Sequence, residues 1–176
     1  MSLEIRDRLA GKIRDVEDFP KKGIIFRDIT PLLKDANSFR ETVVFIADYY
    51  RDKDINFVVS PEARGFILGA AIAYELGAGF IPVRKPGKLP YEVESMTYSL
   101  EYGKDEIQIH KDAVKKGDNV LVFDDVIATG GTAKATCSLI EKLGGKVVGV
   151  CFLIELTDLK GRDKLTDYDV FSIIKY

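Results

Sequence analysis

Two adjacent carboxylates, Asp124 and Asp125, are followed after Val126 and Ile127 by Ala128-Thr129-Gly130-Gly131-Thr132. Neighbouring carboxylates are acceptors suited to a pair of neighbouring hydroxyls. A Gly/Thr turn that opens a helix suits an anion, because the first helical N–H groups lack intrahelical partners and the dipole is positive there. Phosphate beside a vicinal diol is the chemistry of a ribose 5-phosphate. Two other phosphate motifs do not fit. No G-x-x-x-x-G-K-[ST] run occurs, and Gly130-Gly131 lacks the spacing of G-x-G-x-x-G. An ordinary strand-to-helix turn would also use glycine for positive φ, but it leaves the paired acids unexplained.

Such a site needs a strand before it and a helix after it. Val120-Leu121-Val122-Phe123 reads as a buried parallel strand that stops at the acids, which could not stay buried unpaired. A helix begins at Thr132 and runs to Leu143. Upstream, Leu3, Ile5, Leu9 and Ile13 fit a short amphipathic helix, broken by Phe19-Pro20-Lys21-Lys22-Gly23. Residues 24–29 read as extended and 38–51 as a helix. Strands are expected at 55–59, 79–83, 146–154 and 170–174, with a helix over 65–76. Strands alternating with helices predict an α/β fold, a mostly parallel central sheet with helices on both faces. Ligands should sit at the carboxyl ends of its strands. Residues 95–102 and 107–110 break this rhythm and alternate like a hairpin, the form of a lid or binding loop.

Cations gather at the same predicted edge. Arg64 follows a strand end and could fork onto phosphate oxygens, although the dipole slightly disfavours a cation at a helix start. Arg84, Lys85 and Lys88 lie on a Pro/Gly loop past the next strand. Alone they read as a solvated surface. Beside Arg64 and the phosphate loop they read as a pyrophosphate site.

Composition sets the outer bounds. A chain of 176 residues with 46% hydrophobic and 31% charged residues is one ordinary globular domain, 1–176. A net charge of −2 argues against a nucleic-acid binder. Cys137 and Cys151 are isolated within apolar patterns, as buried thiols of a cytoplasmic protein would be. A single histidine and no C-x-x-C argue against a structural zinc site. No apolar run is long enough for a membrane span, and the charged N-terminus lacks a signal-peptide core.

The Asp124–Thr132 segment resembles the phosphoribosyltransferase signature. The rest of the chain narrows the resemblance to the adenine phosphoribosyltransferase family. Asp18-Phe19-Pro20 and the run from Gly23 to Asp35 resemble that family's N-terminal hood, here 1–35, although Lys22 stands where the family often has Pro. Glu62-Ala63-Arg64-Gly65-Phe66 resembles its pyrophosphate loop. Arg84-Lys85-Pro86-Gly87-Lys88-Leu89-Pro90, Tyr98-Ser99-Leu100-Glu101-Tyr102-Gly103 and Glu155-Leu156-Thr157 also match, whereas residues 91–96 match poorly. The resemblance implies a type I phosphoribosyltransferase fold with a lid hairpin at 89–109. It implies transfer of the phosphoribosyl group of 5-phosphoribosyl 1-pyrophosphate to adenine, giving AMP and pyrophosphate, with Mg²⁺ held mainly by the substrate. Asp124 and Asp125 would hold the ribose, Ala128, Thr129, Gly130, Gly131 and Thr132 the 5′-phosphate, and Arg64, Lys85 and Lys88 the pyrophosphate. Arg84 would act across a homodimer, and the Glu62–Ala63 peptide would be cis. Ile25 would read adenine with its main chain, between Phe26 and Arg27. Glu101 would handle the purine proton and Tyr102 would help close the site. Transfer to another nucleobase, or a non-catalytic regulator on the same fold, are the alternatives.

Overall fold

The structure, a computed structural model, describes residues 3–99 and 104–176. The chain divides into two compact units, one ending at Ile46 and the other beginning at Ala47.

The first unit starts with helix α1 (Leu3–Ala10), shorter than its apolar spacing suggests because Gly11 follows it. A strand not expected from the sequence, β1 (Arg14–Glu17), then pairs antiparallel with β2 (Ile25–Asp28). Its charged sequence Arg-Asp-Val-Glu hides it, since no apolar alternation marks it. The pairing is reinforced by side chains: Arg14 Nε donates to Asp28 Oδ2 at 3.0 Å, and Arg27 pairs with Asp15. Helix α2 (Thr30–Lys34) follows, and α3 (Ala36–Tyr50) carries the chain into the second unit.

The second unit holds a five-stranded sheet in the order β4-β3-β7-β8-β9, parallel throughout. Its strands are β3 (Phe57–Pro61), β4 (Gly79–Val83), β7 (Asn119–Ile127), β8 (Lys146–Glu155) and β9 (Val170–Lys175). Between β4 and β7 the hairpin β5 (Val93–Ser99) and β6 (Lys104–His110) pairs antiparallel, and it joins the sheet edge through a bridge between Arg84 and Gln108. Helix α4 (Gly65–Leu76) links β3 to β4, and α5 (Gly131–Lys142) links β7 to β8. These crossovers run in opposite directions from the β3–β7 pair. Right-handed connections therefore place α4 and α5 on opposite faces. The core agrees. Val120 and Val122 join a buried cluster with Cys137, Leu139 and Ile140 of α5, while the alternate residues Leu121 and Phe123 face the other way. Ile107 and Ile109 are buried in the α5-side cluster, so the base of the hairpin belongs to the core. No helix among the described residues is long and apolar enough to cross a membrane.

The reversal of direction at β3–β7 makes a topological switch point, where open α/β sheets leave a crevice. Two glycines let α4 sit close to its floor. A Cβ at Gly69 would lie 2.2 Å from Ser60 Oγ, and one at Gly65 would lie 2.9 Å from Asp124 Oδ1. Gly69→Ala is expected to destabilise the protein by about 1–3 kcal/mol through overpacking. Adding Ser60→Ala, which removes the clashing hydroxyl, should restore part of that loss in denaturant unfolding. Additive losses in the double variant would show that the helix is not seated by this contact.

Candidate active site

β7 runs to Ile127, so Asp124 and Asp125 lie inside the strand and do not terminate it. The expectation of a strand ending at Phe123 fails because Val126 and Ile127 keep pairing with β8, at Ile154 and Glu155. Asp124 is half-buried and Asp125 is 4% exposed. Asp125 is buried but not unpaired: Arg64 Nε lies 2.7 Å from its Oδ2, reaching across from the end of β3. Asp124 Oδ1 accepts the Asp125 N–H at 2.9 Å. Burial, and then the neighbouring Asp125 charge, push the Asp124 carboxyl well above the usual carboxylate range. Burial also raises Asp125, with the Arg64 charge opposing it.

These groups line a cleft of about 260 Å³ with Glu62, Lys85, Tyr98, Asp105 and Thr132. Arg64, Lys85, Asp124 and Asp125 are thus brought together from three neighbouring strands, β3, β4 and β7. Arg84 and Lys88 are not part of the lining. Arg84 Nε donates to Glu62 Oε2 at 2.6 Å, and its Nη1 donates to the Lys88 carbonyl at 3.3 Å. Glu62 also accepts the Lys85 N–H at 3.1 Å, and these partners outweigh burial and hold its carboxyl below the ordinary value. The Glu62–Ala63 peptide is cis.

Among the polar lining residues, Tyr98 and Asp105 were not given a role from the sequence. Asp105 pairs with Lys85 and accepts the Tyr98 hydroxyl at 3.0 Å, and Thr132 Oγ1 donates to Tyr98 at 3.1 Å. Burial alone would lower Lys85, but its contact with Asp105 reverses that and raises it. Tyr98 stood within a recognised motif, but only pairing of β5 with β6 places it opposite Asp105.

The 128–132 loop adjoins the cleft as a second hollow of about 190 Å³, lined by Ala128, Thr129, Gly130, Gly131 and Thr132. Gly130 has φ +75°, a left-handed conformation that favours glycine, and α5 starts at Gly131. The loop therefore ends in a helix N-terminus of the kind that binds anions. Among the described residues no group of three or more His, Cys, Asp or Glu could hold a metal ion. Ile25, Phe26 and Arg27 lie in the first unit on β2. Ile25 is 48% exposed, and Phe26 packs edge-on against Phe19 with centroids 5.1 Å apart. Glu101 and Tyr102 lie outside the described residues.

Comparison with known proteins gives the same direction. A phosphoribosyl transferase domain model matches residues 30–176. An adenine phosphoribosyltransferase of Clostridium kluyveri is 60% identical over 168 residues, covering 96% of this chain and 98% of that protein. The crystal structure of adenine phosphoribosyltransferase from Thermoanaerobacter pseudethanolicus is 51% identical, with a TM-score of 0.95, covering 97% of this chain and 99% of that one. That from Saccharomyces cerevisiae, complexed with an imino-altritol bisphosphate and adenine, is 37% identical with a TM-score of 0.92, covering 98% and 99%. With this identity along nearly its whole length, the chain belongs to the adenine phosphoribosyltransferase family.

Proposed function

We propose that the enzyme transfers the phosphoribosyl group of 5-phosphoribosyl 1-pyrophosphate to adenine, releasing pyrophosphate and forming AMP in purine salvage. The observation that carries this reading is the meeting of Asp124, Asp125 and Arg64 with the 128–132 loop at the β3–β7 switch point. The loop N–H groups receive the 5′-phosphate, and the two carboxylates accept from the ribose hydroxyls. Arg64 exchanges Asp125 for the pyrophosphate as substrate arrives, which frees Asp125 for the sugar. Lys85 makes a similar exchange away from Asp105. In this way neither cation waits unpaired in a low-dielectric cleft.

Bond making and breaking follow from that arrangement. The C1–O bond to pyrophosphate weakens, C1 gains positive character, and adenine N9 attacks it and loses its proton. Arg64 and Lys85, with Lys88 from the adjoining loop, stabilise the charge that gathers on the leaving group. The carboxylates of Asp124 and Asp125 face the carbon that becomes positive. The hairpin is assigned to cover the cleft and exclude water, with Glu101 taking the purine proton and Tyr102 closing the site. Mg²⁺ fits as an ion carried by substrate oxygens: Glu62, Asp105, Asp124 and Asp125 outnumber the two lining cations, so a polyphosphate enters best with its charge offset.

The 1–35 hood is assigned the base, with the Ile25 main chain reading the purine edge while Phe26 and Arg27 flank the ring. A homodimer is part of this reading, with Ile67 and Tyr74 of α4, 47% and 86% exposed and seven positions apart, as candidate contact residues. In that dimer Arg84 would serve the neighbouring subunit. The free, buried thiols of Cys137 and Cys151 fit a reducing cytoplasm.

Two measurements test these roles. The Ile25 carbonyl would accept from the adenine amino group, and its N–H would donate to ring N1. Hypoxanthine reverses both, and each unsatisfied buried group costs about 1–3 kcal/mol. The enzyme should therefore prefer adenine over hypoxanthine in kcat/KM by on the order of 10³, and Ile25→Val should keep that ratio. Comparable use of hypoxanthine would overturn the assignment.

The second measurement concerns Asp124, whose carboxyl is raised by burial and by Asp125. The folded state thus binds this proton more tightly than the unfolded chain. Its contribution to stability is full below the unfolded pKa of about 4 and is lost as pH rises through the raised value. Asp124→Asn should remove that loss, raising Tm at pH 7 by about 2–4 °C per kcal/mol recovered. The gain should vanish near pH 4, and AMP formation should fall with the ribose acceptor gone. A variant less stable at pH 7 would show that the charge is already compensated.

A further inference from the structure

The phosphate loop rests on a part of the chain that lies outside the cleft. Gly161 is buried beneath it, backbone against backbone. A Cβ at Gly130 would lie 2.2 Å from the Gly161 carbonyl oxygen, and a Cβ at Gly161 would lie 2.2 Å from the Ala128 oxygen and 2.9 Å from the Gly130 nitrogen. Neither residue can carry a side chain without moving the loop. Gly161 opens a short 3-10 turn, Gly161–Leu165, that is pinned at both ends. At its far end Leu165 is fully buried in the core. At its near end Arg162 is tied to the sheet.

That tie is a fork onto a buried carboxylate. Arg162 Nε and Nη2 donate to the two carboxylate oxygens of Glu155 at 3.0 and 2.6 Å. Arg162 Nη1 donates to the Val170 carbonyl at 2.7 Å, and Nη2 lies 3.3 Å from Ser172 Oγ. Glu155 is 7% exposed and Ser172 is 3% exposed. The hydrogen bonds from Arg162 hold the Glu155 carboxyl down to about 2, so the pair stays charged through the physiological range. Glu155 ends β8 and pairs in register with Ile127, the last residue of β7 before the loop. The next residue, Leu156, donates its N–H to the Ile127 carbonyl at 3.0 Å. One fork therefore fixes the two backbone segments that flank the loop, the end of β8 and the Gly161 turn.

We propose that Arg162 and Glu155 form a positioning pair for the phosphate loop, aiming its N–H groups by holding Gly161 against Ala128 and Gly130. Neither residue touches the cleft, so neither is a catalytic residue. A bidentate guanidinium fixes direction as well as charge, which an ammonium does not. An ion pair whose guanidinium is 38% exposed adds little net stability, and setting one geometry is the role left to it. The proposal rests on the reading that the 128–132 loop takes the 5′-phosphate.

The test compares Arg162→Lys, which keeps the charge but loses the fork, with Gly161→Ala on the loop side of the same contact. Affinity for ribose 5-phosphate is measured by calorimetry, with KM for both substrates, inhibition by inorganic pyrophosphate, and Tm. Both variants should weaken ribose 5-phosphate binding and raise KM for 5-phosphoribosyl 1-pyrophosphate by about tenfold or more. KM for adenine and inhibition by pyrophosphate should stay within about twofold, a split that general loss of structure would not produce. Unchanged ribose 5-phosphate affinity, or a uniform decline in every constant, overturns the proposal. Should Arg162→Lys fail to fold, Gly161→Ala carries the same test; should both fail, the pair serves the fold and the proposal falls. Gly131→Val, which places a branched side chain on the loop itself, separates the two readings. If it abolishes ribose 5-phosphate binding while the other variants do not change it, only the positioning role is lost. If it too leaves binding intact, the loop is not the phosphate site and the proposal falls with that reading.

Discussion

The ion pair between Arg64 and Asp125, 2.7 Å across the crevice between β3 and β7, is the constraint on which the site depends. A carboxylate that is 4% exposed cannot keep its charge in a protein interior without a partner. Arg64 can be that partner because β3 and β7 are adjacent and parallel, so that their carboxyl ends open on the same side. It can reach because Gly65, with no Cβ, lets the start of α4 settle against Asp124. The same geometry places Asp124 beside Asp125, where burial and like charge raise its carboxyl. Stability is given up there, and the role proposed for the pair, two acceptors facing one sugar, is what that cost would serve.

The cleft is electrically prepared in a second way. Its two lining cations are each matched before substrate arrives, Arg64 with Asp125 and Lys85 with Asp105, and Arg84 just outside the lining is matched with Glu62. In the proposed reading, a polyphosphate competes with carboxylates for these partners and does not enter an unpaired positive field. Binding is, on that proposal, an exchange of partners that makes the released carboxylates available to the ribose. Such exchange costs less reorganisation than assembling charges from solvent, because the dipoles and backbone are already in place.

The local parts of this arrangement are legible in the sequence, and the long-range ones are not. Val120-Leu121-Val122-Phe123 marks its strand because the run is apolar on both faces, as a buried parallel strand must be. Gly65–Leu76 and Gly79–Val83 are equally plain, since glycine or proline punctuates the start of each. β1 is not legible: Arg-Asp-Val-Glu is held by cross-strand ion pairs with β2, and neither spacing nor hydropathy reveals partners 8 to 14 residues away. The continuation of β7 through both acids is also hidden, because two carboxylates look like a strand end until Arg64 is found opposite them. Asp105, Tyr98 and Gly161 reach the site only through tertiary pairing. A lone glycine in Lys160-Gly161-Arg162 reads as a turn, and nothing local says that it supports a loop some thirty residues earlier.

The most direct measurement is a crystal structure with 5-phosphoribosyl 1-pyrophosphate bound. The expected result has the 5′-phosphate against the 128–132 backbone, both ribose hydroxyls on Asp124 and Asp125, and the Arg64 guanidinium moved from Asp125 to the pyrophosphate. A structure in which Arg64 remains on Asp125 while the ribose hydroxyls bind elsewhere would contradict the exchange of partners and the roles of both carboxylates.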